Sequence, residues 1–110
     1  MEPIEKAQIC KDFLENKKGM DIKVIKADDS NVLADYIVIA TGTSTTHVKA
    51  LADEVEVKLK EYDVFPHHIE GSRYNSWILL DYGDVIVHVF SEESRRYYNL
   101  YGEVENLDKE

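Results

Sequence analysis

Residues Ser76–Phe90 read SWILLDYGDVIVHVF, two apolar runs joined by Tyr-Gly, and their pairing decides what kind of sheet this chain can build. With Tyr82 and Gly83 as a two-residue turn, Asp81 opposes Asp84, Leu79 opposes Ile86 and Trp77 opposes His88. Alternation then gives one face of Ile78, Leu80, Val85, Val87 and Val89, wholly aliphatic and suited to packing against helices. The opposite face holds Trp77, Leu79, Ile86, His88 and Phe90, edged by Asp81 and Asp84. An apolar centre with an aromatic anchor and a charged rim is a common design for a protein-binding surface. The alternative is a second core face, covered by the N-terminal or C-terminal helix of an α+β domain. Tyr-Gly is also not the ideal turn dipeptide, and a three-residue loop would slip the register and exchange the face of the second strand.

Upstream, DYIVIA (Asp35–Ala40) reads as a strand buried on both faces, and DIKVIKA (Asp21–Ala27) as a strand before a polar turn at Asp28–Asn31. Val48, Leu51, Ala52, Val55 and Leu59 recur at helical offsets, with Lys49, Asp53, Glu54, Glu56, Lys58 and Lys60 on the outer face. Pro66 stops any continuation. Ile4, Ala7, Cys10, Phe13, Leu14 and Lys17 mark an earlier helix, with Gly19 as its C-cap glycine. A short strand around HHIEGS precedes the hairpin, and EESRRYYNL reads as a last short helix. The order αββαβββα predicts an α+β domain with a five-stranded mixed sheet. One domain over residues 1–100 is expected, with a flexible acidic tail over 101–110.

Between the second strand and the main helix lies ATGTSTTH (Ala40–His47), an arrangement many proteins use to hold phosphate. It lacks the lysine of a Walker loop and the Asp-x-Asp pair that follows a nucleotidyltransferase loop. Gly42, Thr43 and Ser44 therefore read as architecture: the glycine permits the exit from the strand, and Thr43 or Ser44 caps the helix.

The net charge of −9, from 22 acidic against 13 basic residues, repels free nucleic acid and anionic membranes and favours a basic protein as partner. Only Arg73, Arg95 and Arg96 stand out as basic among the downstream aromatics, too few for a nucleic-acid stripe. Cys10, the single cysteine, excludes an intramolecular disulfide and a cysteine-based zinc site, and it reads as buried packing. His67 and His68 point to opposite strand faces, and His47 and His88 lack partners at ligand spacing, so no metal is expected. No serine sits in a nucleophile elbow. An acidic start without a basic leader, and no apolar run near the ~20 residues of a membrane helix, point to a reducing, aqueous compartment such as a bacterial cytoplasm.

In order from Ile4 to Leu100, ADYIVIATGTSTTHVKALAD, IEG, WILLDYGDVIVHVF and ESRRYYNL resemble the Iojap family, the ribosomal silencing factors (RsfS). The resemblance implies a nucleotidyltransferase-like core without catalytic acids, a non-enzymatic role and no cofactor. It implies docking on the large ribosomal subunit through its fourteenth protein, which blocks joining of the small subunit and lowers translation when nutrients are scarce. Organellar members are linked to large-subunit assembly, and homodimers are implied. Carried onto this chain, the docking residues are Trp77, Leu79, Asp81, Tyr82, Asp84 and His88, with Glu70 ahead of them and Arg95 and Tyr98 at the edge. Trp77 would be the apolar anchor and Asp81 and Asp84 the ion-pair partners, while Gly71 and Gly83 are structural. After YYNL the family pattern of a charged pair and Leu-Trp is absent, and YGEVENLDKE stands in its place. Two other classes compete: a nucleotidyltransferase or nucleotide-binding protein using Gly42–Ser44 with Asp81 and Asp84, and a homodimeric scaffold that buries Trp77.

Overall fold

A computed structural model describes residues 1–27, 34–71 and 74–98. The elements follow the expected order: α1 (Pro3–Asn16), β1 (Met20–Lys26), β2 (Tyr36–Gly42), α2 (Thr45–Lys60), β3 (His68–Glu70), β4 (Trp77–Asp81), β5 (Val85–Ser91) and α3 (Glu92–Tyr98). The strands form one mixed sheet in the order β1-β2-β5-β4-β3, in which only β2 and β5 run parallel. The polar turn at Asp28–Asn31 and the acidic tail lie outside the described residues.

The aliphatic face of the hairpin lies where its composition requires. Ile78, Leu80, Val85, Val87 and Val89 are buried with Val38 and Ala40 of β2 beneath α1 and α2. From α2 come Val48, Leu51, Ala52, Val55 and Leu59, and from α1 Ala7, Cys10 and Leu14. Helical and strand periodicities thus meet in one layer, and the area removed from water there is the main stabilising term. Cys10 is fully buried, and burial pushes its thiol up to about 12, so it packs as an inert small apolar group.

The hairpin register differs from the expected one. Trp77 pairs with Phe90, Leu79 with His88 and Asp81 with Ile86. Tyr82 closes the ladder through its N–H to the Val85 carbonyl, 2.9 Å, which leaves Gly83 and Asp84 as the loop. Gly83 takes a positive φ, +84°, which glycine adopts without steric cost, and the Asp84 N–H donates to the Tyr82 carbonyl at 3.1 Å. Moving the turn one residue downstream shifts every pair by two. A two-residue shift preserves side-chain parity, so both faces keep the membership expected from alternation. It also carries Tyr82 onto the core face, at 3% exposure.

The end of α1 corrects a second expectation. Gly19 donates to the Leu14 carbonyl at 2.8 Å and Lys18 to the Glu15 carbonyl at 2.9 Å, the two bonds of a Schellman motif. The left-handed residue is Lys18, φ +63°, not Gly19.

Candidate functional site

The ATGTSTTH loop closes on itself. Ser44 is the N-cap of α2, its Oγ accepting from the His47 N–H at 3.1 Å. His47 replies through Nδ1, which accepts from the Thr43 N–H at 2.8 Å. That leaves the proton on Nε2, which donates to the Lys17 carbonyl, 2.7 Å, at the end of α1. A phosphate loop must offer free N–H groups to its ligand, whereas Thr43 and His47 spend theirs on the cap. Gly42 is needed for closeness: a Cβ there would lie 2.8 Å from the Val48 nitrogen of α2. A polar recess of about 670 Å³ beside this loop is lined by serine and threonine hydroxyls, but also by Glu92 and Glu93 against Arg96, a poor setting for phosphate.

Asp81 and Asp84 cannot serve that loop. Asp81 ends β4 and Asp84 lies in the hairpin loop just before β5, while the phosphate-like loop follows Gly42, which pairs with Ser91 at the far end. Seven residues of strand separate the ends, roughly 20 Å. Each carboxylate is also engaged locally. Asp81 accepts from the Gly83 N–H at 2.8 Å, and Asp84 pairs with Lys6 of α1 at 2.7 Å. Among the described residues no group of three or more His, Cys, Asp or Glu could hold a metal ion.

The second sheet face is divided. Toward β1 and β2 it is closed: Ile25, Ile37, Ile39, Phe90, Thr41 and His88 are buried. Here α3 contributes, packing against β5 and β2 and anchoring Arg95 Nη1 on Thr41 Oγ1 at 2.7 Å. Toward β3 it is open. Trp77, Leu79, Asp81 and Ile86 are half-exposed, and His68 and Glu70 are exposed, 3.1 Å apart. Glu70, Gly71, Trp77 and Leu79 wall a recess of about 260 Å³. Gly71 holds this corner with φ +84°, and a Cβ there would collide with the Trp77 carbonyl oxygen. One half of this face is core and the other half is open to solvent.

Trp77 is fixed from below. Its ring stacks on Phe90, centroids 5.1 Å apart, and its Nε1–H donates to His88 Nδ1 at 3.0 Å. Burial lowers the His88 pKa to about 4, so the imidazole is neutral near pH 7 and Nδ1 can accept.

Three carried-over docking residues fall elsewhere. Tyr82 is buried beneath the helices, where its hydroxyl has no hydrogen-bond partner among the described residues and burial raises its pKa. Asp84 is held by Lys6, and His88 lies under Trp77. The structure therefore brings Trp77, Leu79, Asp81 and Glu70 together. Arg95 faces Thr41, and the side chain of Tyr98 lies outside the described part. Sequence reasoning missed Lys6 and His47, each polar in a helix pattern and visible only once a distant partner is known.

The profile of a family described as "Ribosomal silencing factor during starvation", RsfS, matches residues 1–107. The chain belongs to the RsfS family. It is 40% identical to the ribosomal silencing factor RsfS of Chromobacterium violaceum over 100 residues, 91% of this chain and 82% of that protein. A crystal structure of a C. violaceum protein superposes with a TM-score of 0.89 at 38% identity, covering 94% of this chain and 87% of the other. Mouse mitochondrial assembly of ribosomal large subunit protein 1 is 32% identical over 93 residues, 80% of this chain and 40% of its own length. The RsfS family is regulatory, not enzymatic.

Proposed function

We propose that the chain represses translation by binding the large ribosomal subunit through its fourteenth protein and sterically blocking joining of the small subunit. The half-open face carries this reading: an indole set on Phe90 beside a recess, rimmed by Glu70 and Asp81. Family membership and a relative named for large-subunit assembly support the ribosome as the setting. The net charge of −9 supports a basic protein surface as the contact, with Glu70 and Asp81 steering register and Trp77 supplying the desolvated anchor. No residue acts catalytically; occupancy is the mechanism, in the cytoplasm.

Retention of the purified fourteenth large-subunit protein tests the reading. Trp77→Ala with Asp81→Lys should abolish retention, each hot-spot loss costing roughly 2 kcal/mol or more. No retention by wild type, or retention untouched by the double change, refutes it. The resemblance also implies a homodimer. Burial of Trp77 between two copies would lower the sedimentation coefficient of Trp77→Ala relative to wild type.

A further inference from the structure

The docking face depends on a residue that lies beneath it. His88 is 97% buried by its 3% exposure, and its ring lies 5.8 Å from both the Trp77 and Phe90 rings. Leu79 is its cross-strand pair, so Trp77 reaches His88 diagonally, across the strand, to make its 3.0 Å bond. An indole N–H only donates, and a neutral imidazole accepts at one nitrogen only. The bond therefore fixes both the His88 tautomer, protonated on Nε2, and the direction of the indole edge. A half-exposed tryptophan on an open sheet would otherwise sample several rotamers, and ordering it on binding would subtract from affinity.

We propose that His88 is a positioning residue for docking: through Nδ1 it holds the Trp77 indole in the orientation that forms one wall of the recess with Glu70, Gly71 and Leu79. It touches no partner itself. The inference rests on the docking reading above and assigns to His88 a role distinct from the direct contact implied by the family resemblance.

Two substitutions separate the hydrogen bond from the ring. His88→Phe keeps an aromatic ring against Trp77 and Phe90 but has no acceptor. His88→Asn loses the ring but places Oδ1 at the same number of bonds from Cβ as Nδ1. Trp77 is the only tryptophan, so its indole ¹H–¹⁵N resonance can be followed directly in the isolated chain. His88→Phe should move that resonance out of its hydrogen-bonded position and weaken retention of the fourteenth protein roughly five- to tenfold. His88→Asn should restore the resonance and bring affinity back to within about twofold of wild type. An unchanged resonance in His88→Phe overturns the inference, and so does equal weakening by both substitutions, which would mark a direct contact. Retention insensitive to Trp77→Ala refutes the docking reading instead, and the resonance alone then decides whether His88 orients the ring.

Discussion

Acid should unfold this protein partly through one imidazole. His88 titrates at about 4 in the folded chain against an ordinary 6.5, because burial disfavours the charged ring. The unfolded chain therefore binds a proton more readily between these values. The stability owed to neutral His88 is complete above 6.5 and is lost as pH falls toward 4. Below both values the loss is about 3 kcal/mol, and at pH 5 it is already about 2 kcal/mol. The magnitude is large beside a total of roughly 5 to 15 kcal/mol. Urea unfolding at pH 7.5, 6 and 5, followed by Trp77 fluorescence, measures it. Carboxylates also titrate on this path, so the comparison is with His88→Asn, which retains every carboxylate. Wild type should lose about 2 kcal/mol more than His88→Asn between pH 7.5 and 5. Parallel pH profiles for the two would refute a buried neutral imidazole.

Tyr82→Phe removes a buried hydroxyl that has no partner among the described residues, so it should leave stability unchanged or raise it by about 1 kcal/mol, and it should not weaken retention of the ribosomal protein. Lys18→Gly relieves a left-handed lysine at the end of α1 and should raise the denaturation midpoint by an equivalent of about 1 kcal/mol, read by chemical unfolding. Gly71→Ala combines a positive φ with a collision at the Trp77 carbonyl and should cost at least ~2 kcal/mol while shifting the Trp77 emission, whereas a silent substitution would show that this corner yields freely.

Both faces of the hairpin were legible in the sequence while its register was not, and parity explains the difference. Alternation reads only whether a residue is odd or even along the strand, so Val85, Val87 and Val89 belong to the core whether the turn begins at Tyr82 or at Gly83. Turn choice depends on local φ, and Gly83 satisfies both readings. What tips the balance is tertiary: Tyr82 gains burial beneath α1 and α2, and Asp84 gains Lys6. Neither is local in sequence. Lys6 sits on the buried stripe of α1, where a helical pattern would call for an apolar residue, and its partner lies 78 residues away. The Ser44 cap was readable because its acceptor and donor are three residues apart. His47, bonded across 30 residues to Lys17, was not.

The same distinction applies to the candidate site. Composition and a motif series singled out DYGD as a cluster with one purpose, yet folding distributes it over three environments. Asp81 shares the second face with Trp77, Tyr82 faces the core, and Asp84 serves α1. Consecutive strand residues point to opposite faces, so a contiguous polar-aromatic motif in a hairpin cannot form one contact surface. A docking surface on this sheet must instead draw on alternate residues of β4 and its neighbours. Trp77, Leu79 and Asp81 from β4 with Glu70 from β3 meet that condition, and their exposure rises toward the β3 edge, where no helix covers them among the described residues. The acidic rim thus lies on the open side of the indole and the aromatic support on the closed side. An approaching basic surface would meet charge first and the rigid ring second, the order in which electrostatic steering precedes desolvation.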